Sequence, residues 1–178
     1  MDLLTLAVAC SFLTDPRTTL RVIAVESQGQ PYAIHDNTED HTYTPRALPE
    51  ALEIASLLMN AGHRLDIGLM QINVDVWLRP RSFSLAKAFD PCTNIRIGSI
   101  ILHRDYTQAL ASSRNPKEAL WRALSLYNTG TDWRGLEYAQ RVLLGAPGRP
   151  VLDHPQVAFS APNPSSKNVA GIAGKASP

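Results

Sequence analysis

Residues 64–77, Arg-Leu-Asp-Ile-Gly-Leu-Met-Gln-Ile-Asn-Val-Asp-Val-Trp, read as neither a long helix nor a clean alternating strand. Two aspartates, a glutamine, an asparagine and a tryptophan are set among Ile, Leu and Val, the mixture expected of one wall of a polar cleft. The segment therefore predicts a single irregular or short β element, and what surrounds it decides the fold class.

On both sides the punctuation is helical. Asp15-Pro16 supplies an N-cap and a first-turn proline, with Leu20, Ile23, Ala24 and Ser27 on one face before Gly29 and Pro31 stop the run. Thr44-Pro45 is expected to open a second helix with Leu48, Ala51, Leu52, Ala55 and Leu58 inward and Gly62 at its end. Asp90-Pro91 opens a third, burying Ile95, Gly98, Leu102 and Tyr106, and Asn115-Pro116 a fourth, burying Leu120, Ala123, Leu124 and Tyr127. A short helix from Leu136 to Leu144 ends at Gly145. Without strand and helix alternation or a glycine-rich phosphate loop, the chain is mainly α and not a doubly wound sheet.

The chain has 178 residues, 44% of them hydrophobic, with 17 Lys plus Arg against 16 Asp plus Glu. A net charge of +1 gives no general reason to seek nucleic acid or an anionic membrane. A fold of this size buries roughly 70% of its unfolded surface without help from metals or many disulfides. After Gly145 the composition turns to Pro, Ser, Gly, Ala and Asn, so residues 1–146 read as the domain and 147–178 as a flexible tail. No stretch is long enough for a membrane span. Leu3 to Leu13 has the size of a signal-peptide core, but no Lys or Arg precedes Arg17, and it is read as a domain helix. His35, Asp36, Asp40 and His41 match no metal-ligand spacing, and a solvated loop accounts for them; neither metal nor cofactor is expected.

Glu26 is the first residue to suggest chemistry. It follows Val22-Ile23-Ala24-Val25, where partial desolvation would raise its pKa and keep the carboxyl group protonated near neutral pH, as a general acid requires. Pattern alone equally allows a glutamate on the solvated side of the helix.

Glu26-Ser27, Gly68-Leu69-Met70-Gln71-Ile72-Asn73 and Tyr127-Asn128-Thr129-Gly130, in this order, resemble the lysozyme-like lytic transglycosylases that degrade peptidoglycan. The similarity is greatest to the small members that accompany type IV secretion and conjugative transfer systems. Asp90-Pro91-Cys92 with Asn94, and Cys10 before the first motif, also look like that branch. The resemblance implies a lysozyme-like fold whose short irregular or β segment lines a glycan cleft. It implies cleavage of the β-1,4 bond between N-acetylmuramic acid and N-acetylglucosamine by Glu26, acting as acid and then as base while the muramoyl C6 hydroxyl closes on C1. A periplasmic monomer acting on peptidoglycan strands, beside secretion-system components, is the implied setting.

Other roles follow residue by residue. Asp66 is either the second carboxylate of a lysozyme-type hydrolysis, a support for positive charge, or a cap on local backbone; the two-carboxylate division of labour is the handling familiar from lysozyme itself. Gln71 and Asn73 carry amides suited to sugar hydroxyl and acetamido groups, or to loop backbone. Gly68, Met70, Ser27 and Asn128 match the family's cleft positions, although Met70 and Ser27 also suit structural roles. Tyr127 matches the tyrosine that points at the catalytic glutamate. Ala33 to Arg64 departs from the family, placing a polar loop and an extra helix where a substrate-binding serine is usual. His35 or Asn37 falls in that neighbourhood, and Tyr32 either stacks on a sugar or packs under the loop. Cys10 and Cys92 form a disulfide in an oxidising compartment, or stay as two buried thiols. A wall-binding scaffold without catalysis is the reading from another functional class.

Overall fold

The computed structural model describes residues 2–145, and the predicted tail with its boundary at residue 146 lies outside the described residues. Seven helices and a small sheet follow in chain order: α1 (Leu3–Cys10), α2 (Pro16–Glu26), β1 (Ile34–Asp36), β2 (His41–Tyr43), α3 (Leu48–Asn60), β3 (Leu65–Ile67), β4 (Ile72–Asn73), α4 (Leu85–Phe89), α5 (Pro91–Leu110), α6 (Pro116–Thr129) and α7 (Leu136–Leu144). A π-helical turn over Val74–Leu78 and a 3-10 turn over Arg79–Arg81 lead from β4 towards α4. The fold is mainly helical with a small antiparallel region, as the sequence implies.

Three of the four Asx or Thr plus Pro starts behave as predicted. The carboxylate of Asp15 accepts from the N–H of Arg17 at 2.8 Å, that of Asp90 from Thr93 at 2.8 Å, and the amide oxygen of Asn115 from Glu118 at 2.9 Å. Thr44-Pro45 does not open a helix. The helix begins at Leu48 with Pro49 in its first turn, and the Glu50 carboxylate reaches back to the N–H of Arg46 at 2.9 Å. In α2 the buried face is Thr18, Thr19, Val22 and Ile23, while Ala24 is exposed. Its threonine side is accommodated by hydroxyl pairing: Thr14 and Thr19 lie 2.8 Å apart, and Thr14 donates to Ser99 of α5 at 3.2 Å.

The polar loop predicted after Ala33, ahead of the helix expected at Thr44-Pro45, contains β1 and β2. The sheet order is β2-β1-β3-β4, antiparallel throughout, with His35 opposite Asp66 and Asp66 opposite Asn73. Because side chains alternate along a strand, Ile34, Leu65, Ile67 and Ile72 enter the core while His35, Asp66 and Asn73 share the other face. Asp36, fully buried on the core side, accepts from His63 Nδ1 at 2.6 Å and from the N–H of Thr38 at 2.9 Å, which pins the β1–β2 turn. Cys10 and Cys92 are joined in a disulfide with Cα atoms 5.2 Å apart, tying the end of α1 to the start of α5. Among the described residues no helix is long and apolar enough to cross a membrane.

Candidate active site

The turn between β3 and β4 is built by packing against α5. Asn94, fully buried, donates from Nδ2 to the carbonyls of Ile67 at 3.0 Å and Ala88 at 2.9 Å, and its Oδ1 accepts the N–H of Met70 at 2.8 Å. Gly68 has φ +81°, and a Cβ there would fall 2.1 Å from Asn94 Nδ2, so no other residue fits. At Gly98 a Cβ would meet Met70 Sδ at 2.4 Å; the glycine is the recess into which Met70 packs. Met70 is therefore core, fully buried, and its side chain does not line the cleft as a substrate contact.

Gln71 adopts φ +48°, a region that costs a non-glycine residue about 1 kcal/mol or more. Its side-chain amide stabilises the turn by donating to the carbonyls of Gly68 at 2.8 Å and Ala33 at 3.2 Å. Ser27, at the end of α2, donates its hydroxyl to the carbonyl of Leu69 at 2.8 Å. Buried at 7% exposure, it joins the end of α2 to the turn, and its hydroxyl is taken up by that carbonyl. Tyr127 of α6 donates to the carbonyl of Met70 at 2.7 Å. The turn is thus held from α2, α5 and α6 together.

Glu26 is half-buried at the last position of α2. Its Oε1 accepts a 2.5 Å hydrogen bond from the hydroxyl of Tyr138, a residue of α7. Burial pushes the carboxyl group up to about 7; the charge of Asp66 adds to the rise, whereas the Tyr138 bond and the Arg141 guanidinium oppose it. The Tyr138 phenol is itself pushed well above its ordinary range by burial and by the charge of Glu26, so it remains a donor. The tyrosine bonded to Glu26 is hence Tyr138 and not Tyr127, whose hydroxyl is given to the turn. Tyr127 is still a neighbour, since its own pKa is raised by burial and then by Glu26, Asp105 and Asp66.

Asp66 does not cap backbone. Its Oδ1 accepts from Asn73 Nδ2 at 2.7 Å and its Oδ2 from Asn37 Nδ2 at 3.0 Å. Burial raises its pKa, against the pull of these two amides and of His35 and Arg64. Asn73 also receives the N–H of Val76 at 2.9 Å, which caps the π-helical turn. Asn37, Asp66, Gln71, Asn73, Tyr127 and Asn128 line a cleft of about 400 Å³. His35 instead pairs with Thr42 at 3.1 Å, and Tyr32 packs edge-on against Phe89 with ring centroids 6.3 Å apart. Tyr32 accordingly sits under the loop and not on a sugar-stacking face.

Sequence reasoning missed Tyr138 and the full role of Asn94. Tyr138 sits on the apolar stripe of α7 with Ala139, Val142 and Leu143, where an aromatic reads as core. A polar hydroxyl on an otherwise apolar stripe was the available signal. Asn94 had a stronger one, an amide inside the buried first turns of α5.

The Transglycosylase SLT domain matches residues 5–139. Protein virB1 of Agrobacterium fabrum is 32% identical over 126 residues, covering 68% of this chain and 49% of that protein. The type IV secretion system protein virB1 of Brucella abortus is 32% identical over 151 residues, covering 80% of this chain and 63% of its own length. Protein virB1 of Rhizobium radiobacter is 37% identical over 125 residues, covering 66% and 49%. The chain spans about half to three fifths of these relatives. No solved structure matches. With the match running from α1 into α7, the chain belongs to the transglycosylase SLT family.

Proposed function

We propose that this chain is a peptidoglycan lytic transglycosylase that cleaves the β-1,4 bond between N-acetylmuramic acid and N-acetylglucosamine and leaves 1,6-anhydromuramoyl ends. The observation that carries the reading is the single carboxyl group of Glu26, pushed up to about 7 and held by Tyr138. At that value both protonation states are populated near neutral pH, which one group needs to serve first as acid and then as base. Tyr138 donates to Oε1, so the mobile proton resides on Oε2. Glu26 gives that proton to the glycosidic oxygen as its bond to C1 breaks. The resulting carboxylate takes the proton of the C6 hydroxyl as O6 bonds to C1, and no protein nucleophile or water is consumed.

Asp66 fits electrostatic support better than nucleophilic attack. Both of its oxygens accept from amides, which hold the carboxylate in place as a fixed negative charge. Hydrolysis by Glu26 and Asp66 with water is the alternative. Muropeptide mass spectrometry separates the two, because anhydro ends are lighter by one water than reducing ends; a digest holding only reducing ends would refute the transglycosylase.

The similarity to a type IV secretion system protein supports a role in opening the wall locally for a secretion or conjugation apparatus. The Cys10–Cys92 disulfide supports an oxidising compartment, the periplasm. Alkylation of periplasm-derived protein under denaturing conditions tests that placement, and two free thiols would count against it.

A further inference from the structure

The wall of the cleft formed by α5 holds a group that this mechanism does not use. Asp105 is 1% exposed and lines the cleft with Arg104, Trp77, Tyr127 and Asn128. Its Oδ1 accepts from Nε and Nη2 of Arg104 at 3.0 and 2.7 Å. Its Oδ2 has no hydrogen-bond partner among the described residues. An unpaired buried carboxylate oxygen is costly, and a fold that retains one beside a cleft has a use for it.

The surroundings narrow what that oxygen receives. The Arg104 guanidinium stacks 4.4 Å from the Trp77 ring centroid, with Arg81 4.7 Å from the same ring, so the partner of Oδ1 is held in place by an aromatic surface. Arg104 offsets the charge of Asp105, which favours a neutral donor over a cation. Among the neutral donors on a peptidoglycan strand, the N–H of an acetamido group or of a peptide stem is a single donor that one carboxylate oxygen satisfies in full. Though buried, Asp105 lines the cleft, and the Arg104 side chain that holds its Oδ1 is 57% exposed, so the pair lies at the cleft surface.

We propose that Asp105 is a ligand-binding residue of the cleft, its unpaired carboxylate oxygen accepting the N–H of a secondary amide, carried by an N-acetylated sugar or by a peptide stem. The proposal rests on the cleft being a glycan site, and affinity tests it apart from turnover. In Glu26→Gln protein, which holds substrate without cleaving it, Asp105→Asn turns its own amide nitrogen towards the cleft because Arg104 keeps the oxygen. An acceptor is replaced by a donor.

Tetra-N-acetylchitotetraose should then bind about tenfold more weakly by calorimetry, the worth of one charge-assisted hydrogen bond, with cellotetraose unaffected. If only glycan strands bearing stems lose affinity, the amide is that of the peptide. Unchanged affinity for chitotetraose and for strands with stems overturns the proposal, as does an equal loss for cellotetraose. Should Asp105→Asn fail to fold, the ¹³C carboxyl resonance of Asp105 in Glu26→Gln protein must move on saturation with chitotetraose or stem-bearing strands, and a stationary resonance with both overturns it. An active enzyme can fail this test, and a protein whose products refute the transglycosylase can pass it.

Discussion

The end of α2 and the face of the small sheet each carry a desolvated carboxyl group, and their hydrogen bonding sets them apart. Among the described residues Glu26 receives one side-chain bond, from Tyr138 to Oε1, which in the proposed mechanism leaves Oε2 for a proton. Asp66 receives two, one on each oxygen, from Asn37 and Asn73. Burial raises both. Under the proposed mechanism, with both groups raised by burial, the oxygen left free on Glu26 and the two occupied oxygens of Asp66 would separate a proton carrier from a fixed charge. The end of α2 supplies the first arrangement because α2 packs against α7, which brings Tyr138 to Glu26. A sheet face supplies the second because register places Asn73 directly opposite Asp66.

The largest effect that can break this contrast is the loss of each carboxylate in turn. Glu26→Gln should abolish wall clearing in a zymogram, with turnover of peptidoglycan down by about 10³-fold or more, since it removes both acid and base. Asp66→Asn should retain turnover within about 10–100-fold of wild type, and its products should still end in anhydro groups. If the two substitutions cost the same, or if Asp66→Asn alone prevents product formation, Asp66 shares the chemistry and the contrast fails.

Much of this arrangement was legible in the sequence, and unevenly so. Glu26, Asp66, Gln71 and Asn73 stood out as polar residues among Ile, Leu and Val, but their roles, and that of Tyr127, came from the resemblance to the family motifs. The capped starts of α2, α5 and α6 were visible because an N-cap followed by proline has one local solution. β1 and β2 were hidden in a polar stretch, since only pairing with β3 makes Ile34-His35-Asp36 a strand. Which tyrosine meets Glu26 was hidden for a similar reason. Tyr127 and Tyr138 both sit on helical stripes, and only the packing of α7 against α2 and of α6 against the β3–β4 turn decides which hydroxyl reaches the carboxylate and which reaches the carbonyl of Met70.

The two tyrosines sharpen the comparison at the next level of magnitude. Tyr138→Phe removes the bond that lowers the pKa of Glu26, so the value moves above 7 and the alkaline limb of the pH–rate profile moves up with it. Turnover near neutral pH should fall about tenfold as the carboxyl group loses its orientation. Tyr127→Phe frees the carbonyl of Met70 instead. It should cost about 1 kcal/mol of stability by urea denaturation and leave the alkaline limb close to its wild-type position. A larger pH displacement in Tyr127→Phe than in Tyr138→Phe would reverse the assignment.

The smallest effect is on stability, and it tests the free oxygen without any substrate. The folded-state pKa of Glu26 lies above its unfolded value of 4.5, so between that value and about 7 the native protein holds more proton than the unfolded chain. Stability of the wild type therefore declines as pH rises through this window, and above it an ionised carboxylate sits in a desolvated site. Glu26→Gln removes that penalty and should be the more stable protein at pH 8.5, by about 1–3 kcal/mol, with the advantage shrinking towards pH 4.5. Asp66→Asn has a raised pKa to relieve as well, but its new amide presents an NH2 where Asn37 or Asn73 also donates. Two donors then face each other, so the substitution should give no comparable gain at any pH. Urea unfolding of the two variants at pH 5 and 8.5 measures this, and a gain in Asp66→Asn equal to that in Glu26→Gln would mean that burial alone, and not the count of occupied oxygens, distinguishes the groups.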